Sequence, residues 1–435
     1  MESILDIQEK YKIDDSVTSF ETYAYQPISG TQLNSSGQIV IRIENQDAFF
    51  YPRRSWLQFE GTLTKKGQVG AAAIYPDADL ITFVNNGILF LFDNIKYDLG
   101  GQEIESLYYP GQATTMLGLA KYSSNFNVGP GLNQCWRLDE GDGKAVVTNT
   151  GFDTRHKYFV KESTPKGSFR IAVDLEHIFG FCEDYDHVMY GHIQTLTLVR
   201  NADSNNALFK ATRNAPIGDG EITITKLSWM MPKVVPSDGE KYKLYKTIES
   251  KAILDVAFRM RQCTTISIPT TPTYTWRLGV RSAPEKPRYI MVGFQTDKIN
   301  KQDKNTGLFD HCKLKNIYIL LNNVRYPAID FSVDFAKHHY ENLYKAFCDF
   351  ARKYYGVDWL ITSTAVDPIS YMNFFPIFIF DVSKQSERLQ AGIVDITIEM
   401  FFGENVGAGT LAYALLISDR KLKFQSDGKK MTVIY

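Results

Sequence analysis

Two eleven-residue segments, 94–104 and 316–326, align without a gap at a constant offset of 222, which sets Asn94 on Asn316 and Gly100-Gly101 on Asn322-Asn323. Gly and Asn are the residues that accept positive φ at both centres of a two-residue hairpin turn. A helical stretch follows each copy, around 112–122 in the first and 339–355 in the second. In the second, Tyr340, Leu343, Tyr344, Phe347 and Phe350 recur at three- and four-residue spacing. Two unrelated hairpins would leave a similar trace over so short a span. The same turn chemistry followed by the same element, half a chain apart, favours a unit present twice. A weaker echo pairs Ile178-Phe179 and Gly191 with Ile379-Phe380 and Gly392 at an offset of 201, but the strand phase drifts after it.

Short alternating runs mark what that unit is made of. Gln38 to Ile43, Trp56 to Glu60 and Glu221 to Leu227 alternate apolar with polar residues, and Tyr274 to Leu278, Arg288 to Val292 and Val394 to Ile398 are further strand-like runs. Period-two alternation between turn residues predicts antiparallel sheets with one buried face. The 28 Phe and 25 Tyr, many of them in Val/Ile/Thr-rich runs, suit the same pleated surface. At 435 residues the chain is long enough for two cores.

The expected division is an N-terminal arm at 1–19, a first β domain at 20–231, a connector at 232–250, a second β domain at 251–424 and a C-terminal strand or tail at 425–435. In the connector, Ser237-Asp238-Gly239-Glu240 reads as a capping box, with Leu244, Tyr245 and Ile248 on one face of a short helix. About 200 residues per half accommodate an eight-stranded, two-sheet roll with long loops. The stretch 128–167, with Asp139-Glu140-Gly141-Asp142-Gly143-Lys144 and little periodicity, reads as an exposed excursion.

The sequence argues against several kinds of chemistry. Gly141-Asp142-Gly143-Lys144 lacks the spacing and the Ser/Thr of a phosphate loop, and 403–409 opens no helix after a buried parallel strand; each reads as a turn. Adjacent His338-His339 would point to opposite faces of a strand, and His187 and His192 stand five apart, which fits no strand-face or helical metal pair. Glu183-Asp184-Tyr185-Asp186 lacks the rhythm of a calcium loop and reads as a solvated turn. No catalytic, cofactor-binding or metal-binding residue is assigned, and no cofactor is expected.

Cys135, Cys182, Cys263, Cys312 and Cys348 are scattered and odd in number, which points to buried free thiols in a reducing compartment. With 48 Lys+Arg against 49 Asp+Glu, the chain has no basic excess for coating nucleic acid, and no specific nucleic-acid site is evident. The basic run Arg420 to Lys423, with Lys429-Lys430 beyond, reads as an alternating strand and turn whose charges face water. Residues 1–6 have neither a basic nor an apolar leader pattern, and no apolar run approaches the ~20 residues of a membrane helix.

Val84-Asn85-Asn86-Gly87-Ile88-Leu89-Phe90, followed by Ile95 to Leu99 and Gly100-Gly101-Gln102-Glu103-Ile104, resembles the first jelly roll of double-jelly-roll major capsid proteins. The closer likeness is to capsid proteins of Polinton-type (Maverick) elements, adintoviruses and other small relatives of the nucleocytoplasmic large DNA viruses. Phe179 to Tyr185, Val256 to Cys263 and Ile417 to Phe424 look like further parts of that group. The resemblance implies an all-β chain of two tandem eight-stranded jelly rolls with a few short helices. It also implies a homotrimer whose six rolls make a pseudo-hexameric tile of an icosahedral shell, with penton and minor capsid proteins as further partners. Such a chain is a structural protein of the virion capsid, assembled inside the host cell, and not an enzyme. The competing expectation is a two-jelly-roll glycan-active enzyme or a carbohydrate-binding protein.

Overall fold

The computed structural model describes residues 15–28, 30–141, 149–211, 217–278, 286–384, 394–426 and 431–434. In it the alternating runs become strands with their apolar members turned inward. Ile39, Ile41 and Ile43 are fully buried, while Arg42 between them is exposed.

The first half contributes β1 (Val17–Tyr25), β2 (Gly37–Ile43), β3 (Trp56–Lys65), β4 (Phe92–Leu99), β5 (Gln102–Tyr108), β6 (Ser168–Asp174), β7 (Gln194–Arg200) and β8 (Gly220–Pro236). They form two antiparallel sheets, ordered β1-β8-β3-β6 and β2-β7-β4-β5. The second half contributes β9 (Ile253–Ser267), β10 (Thr273–Leu278), β11 (Lys286–Thr296), β12 (Leu314–Leu321), β13 (Val324–Tyr326), β14 (Phe378–Asp381), β15 (Ile396–Phe402) and β16 (Thr410–Ser426). Its sheets run β9-β16-β11-β14 and β10-β15-β12-β13. Each strand of the first half thus has its counterpart eight places later, in the same position of the same sheet. The architecture is two jelly rolls in tandem. Outside this frame, Phe49–Phe50 pairs with β8, Ile81–Phe83 pairs with Leu208–Lys210, and a last strand, β17 (Met431–Ile434), pairs with β16.

The aligned segments are the β4–β5 and β12–β13 hairpins. Leu99 pairs with Gln102 and Leu321 with Val324, leaving two-residue turns. Gly100 and Gly101 have φ of 57° and 87°, and Asn322 and Asn323 have 47° and 67°. Both turns therefore carry positive φ at both centres, the geometry whose twist matches the flanking strands.

Among the described residues, helices α1 (Pro110–Lys121), α2 (Gly180–Asp184, preceded by the helical turn Leu175–Ile178), α3 (Asp238–Glu249), α4 (Glu341–Tyr355) and α5 (Pro368–Phe374) connect or cover the sheets. Helices α1 and α4 come after their respective hairpins and pack on each other. α1 is buried from Pro110 to Ala120, whereas α4 buries only the stripe Leu343, Phe347, Phe350, Ala351 and Tyr354.

The structure corrects several expectations. Strand β1 already begins at Val17, within the stretch read as an arm, and residues 1–14 lie outside the described residues. β8 continues to Pro236, so 232–236 are sheet and the connector helix starts only after Ser237. Pro232 falls between β3 and Phe49–Phe50 on its hydrogen-bonding side, where its carbonyl accepts from Tyr51 N (3.0 Å) and no N–H is required. The capping box does not form: the Ser237 side chain makes no cap hydrogen bond, and Glu240 pairs with Lys243.

The stretch 128–167 is not an exposed excursion. Trp136, Phe152 and Phe159 are buried, and Thr150–His156 is a helix capped by the Asn149 side chain, which accepts from Phe152 N at 3.0 Å. Helices this short, packed on several sides, leave no period to read. Residues 142–148 are outside the described residues. The 201-residue echo is no equivalence either, since Ile178 ends a helix while Ile379 lies in β14; Gly392 is outside the described residues.

Candidate assembly site: the joint between the rolls and the edges around it

Strand β9 opens the second roll and lies against the first. Its residues Arg259 and Arg261, two apart, share a strand face and meet α2, which carries Glu183 and Asp184. Arg261 Nη2 donates to Glu183 Oε2 at 2.6 Å, and its Nη1 donates to the carbonyls of Glu176 (3.1 Å) and His177 (2.8 Å). The Arg259 guanidinium grips both oxygens of Asp184, with Nε to Oδ2 at 2.8 Å, and lies 3.8 Å from the centre of the Tyr354 ring. Lys121 at the end of α1 donates to Glu183 Oε1 at 2.7 Å. The acids read as a solvated turn are therefore anchor points of the second roll.

Glu105, on β5, completes the joint without a side-chain counter-ion. It accepts from three backbone N–H groups: Gly180 (3.1 Å) and Phe181 (2.9 Å) of the first roll and Arg261 (2.8 Å) of the second. Burial pushes its carboxyl up to about 7, opposed by Arg261 and those N–H donors. Burial would also raise Glu183, but Arg261, Lys121 and Arg259 outweigh it and hold that carboxyl at about 2. Gly180 is required by close approach: a Cβ there would sit 1.7 Å from the Arg259 carbonyl oxygen.

A second polar clamp crosses between the rolls elsewhere. Arg155 and Asp139, both fully buried, pair at 2.8 Å, and Arg155 Nε also donates to Phe83 O at 3.0 Å. Asp139 Oδ1 accepts from Asn149 (3.0 Å), and its Oδ2 accepts from Asn305 (3.1 Å) on the loop between β11 and β12 of the second roll. Nearby, Gln302 exchanges hydrogen bonds with both backbone groups of Gly220 (2.7 and 2.8 Å). Arg420 donates to Ile104 O (2.7 Å) and Glu103 O (3.3 Å), so one cation of the basic run binds the first roll, while Lys421 and Lys423 face water. Residues 427–430 are outside the described residues.

The surface around this joint has unpaired edges and uncovered apolar side chains. Val17, Phe20 and Tyr23 on edge strand β1, Ile253 and Leu254 on edge strand β9, and Val324 on edge strand β13 are all exposed. On the loop after α4, Leu360 and Ile361 are 96% and 85% exposed. Edges and side chains of this kind are available for contact with another chain.

Of the histidines considered as ligands, His187, His338 and His339 are exposed and His192 is buried against the Phe424 ring. Among the described residues no cluster of three or more His, Cys, Asp or Glu could hold a metal ion. Residues 403–409 form the loop between β15 and β16. The five cysteines are free thiols, three buried and two partly so. No helix among the described residues is long and apolar enough to cross a membrane.

A double jelly roll-like domain model matches residues 81–422, and the chain belongs to that family. Its fold is that of solved viral capsid chains. It resembles a chain of the Sputnik virophage (TM-score 0.60, 12% identity, covering 99% of this chain and 91% of that one). It also resembles the mavirus major capsid protein (TM-score 0.57, 12% identity, 99% and 92%) and the Faustovirus major capsid protein (TM-score 0.56, 9% identity, 98% and 93%). No curated protein matches it in sequence.

Proposed function

We propose that this chain is the major capsid protein of an icosahedral DNA virus or virus-like element of the Polinton-like group, with a structural rather than an enzymatic role. The observation that carries this is the pairing of two identical strand frames through a buried, charged joint. A joint of that kind makes one stiff block of two rolls rather than two tethered domains. The full-length likeness to virophage and giant-virus capsid chains supports the same reading.

In this reading the functional division is a first roll at 20–231 and a second at 251–424, the first extended to Val17 and Pro236 by β1 and β8 and the second to Ser426 by β16, with α3 as the connector. Three blocks related by a closed threefold axis give a six-roll tile, and the uncovered edges of β1, β9 and β13 are surfaces for its contacts. Penton and minor capsid proteins, and assembly within the host cell, belong to the same proposal.

Mass in solution tests it. The purified protein is expected near three times 49.5 kDa and as hexagonal rings by electron microscopy. A persistent monomer at high concentration refutes the reading.

A further inference from the structure

A cleft of about 430 Å³ opens between the rolls, away from the charged joint. That is the size range of small-molecule sites, about 300–1,000 Å³. Its lining is unlike the joint: among the described residues it carries two carboxylates, Asp93 and Asp203, and no basic side chain. Asp93 is exposed and its carboxylate has no partner among the described residues. Among the described residues Asp203 Oδ1 accepts only the local Asn205 N–H (2.9 Å).

Amides surround the two acids with spare capacity. Gln112 is more than nine-tenths buried, yet among the described residues its side chain makes a single hydrogen bond, from Nε2 to Tyr413 Oη at 3.4 Å. Its carbonyl oxygen and second N–H are left over. Asn201 spends Nδ2 on Phe90 O (3.0 Å) and keeps Oδ1; Asn206 spends Oδ1 on Asn300 N (2.7 Å) and keeps Nδ2. Between these polar groups the half-buried Tyr109, Leu411 and Ile299 supply apolar wall.

The ligand class is set by what would use these groups. An anion is repelled by both carboxylates. An ammonium would pair with the acids but leave the amide donors and the apolar wall unused. A hydroxyl both donates and accepts, so a polyol fills carboxylate acceptors and amide donors alike, and the C–H face of a sugar ring packs on aromatic and aliphatic surface. We infer that this cleft, lying within a single chain and independent of the shell reading, binds a neutral saccharide unit.

The test is saturation-transfer NMR on the full chain. The probes are neutral oligosaccharides ending in galactose, glucose, mannose or N-acetylglucosamine, with a sialylated oligosaccharide and spermidine as charged comparators. At least one neutral probe is expected to bind, with little dependence on salt, and more tightly than the sialylated one. Asp93→Ala and Asp203→Asn are each expected to weaken it by about tenfold, and Lys421→Ala, on the exposed face of β16, to leave it unchanged. Asp93 is exposed, so its replacement should not unfold the chain; a melting curve equal to wild type establishes that for each variant. The inference is overturned if no neutral probe binds, if spermidine alone binds, or if the two Asp variants bind as wild type does.

Discussion

Arg261 of the second roll and Glu183 of the first, 78 residues apart in sequence, meet at 2.6 Å with both side chains almost wholly out of water. Removing one partner of such a pair strands the other charge, which costs about 3–5 kcal/mol. Arg261→Met should therefore lower the unfolding midpoint clearly. Adding Glu183→Leu should cost less than the sum of the two single changes, since neither member of the pair is then buried opposite an apolar group, though Lys121 still loses a partner. A double-mutant cycle by chemical denaturation measures the coupling, expected at about 0.5–3 kcal/mol.

Two glycines should respond in opposite directions. Gly180→Ala drives a methyl group into the Arg259 carbonyl and should destabilise by about 1–3 kcal/mol. Gly239→Ala, on α3 with nothing within 4 Å of the new Cβ, should stabilise by about 0.4–1 kcal/mol. Thermal melts of the two variants side by side decide it.

The hairpin turns should be interchangeable. Replacing Asn322-Asn323 by Gly-Gly keeps residues that tolerate positive φ and should change stability by less than about 1 kcal/mol. Val-Val there should cost about 1–2 kcal/mol per residue. Denaturation midpoints of the two variants test this.

Acid should loosen the surroundings of His192. Among the described residues neither ring nitrogen has a hydrogen-bond partner, and burial holds the imidazole at about 4, below its ordinary 6.5. The unfolded chain therefore binds this proton more readily than the folded one. The contribution is complete above about 6.5 and is lost as pH falls towards 4, up to about 3 kcal/mol. His192→Phe should flatten that part of the stability–pH curve, measured from about pH 4 to 7.5.

Leu360 and Ile361 offer a test of self-contact. Changing both to Asp removes nothing from the core, so the melting temperature of the isolated chain should stay within a degree or two. On the proposed trimeric assembly, the share of trimer in analytical ultracentrifugation is expected to fall.

What could be read from the sequence depends on how local each signal is. Gly100-Gly101 and Asn322-Asn323 announce their turns through backbone preference alone, and Ile39, Ile41 and Ile43 announce a buried face by period. The joint has no such signature. Glu183 and Asp184 form a turn-like acidic run until β9 arrives from the other half with Arg259 and Arg261, and nothing near them in sequence foretells it. Asp139 and Arg155 were hidden for the same reason, inside a stretch whose short helices pack on several sides and so show no alternation.

Helix α1 ties the two halves to each other. Its counterpart α4 keeps a polar face, but α1 is covered throughout, partly by α4 and β16 of the other roll. Cutting the chain at the connector would bare that greasy cylinder to solvent. A first roll made without the second would have to find another apolar cover for α1, so the two rolls share one core at this point and neither surface is spare.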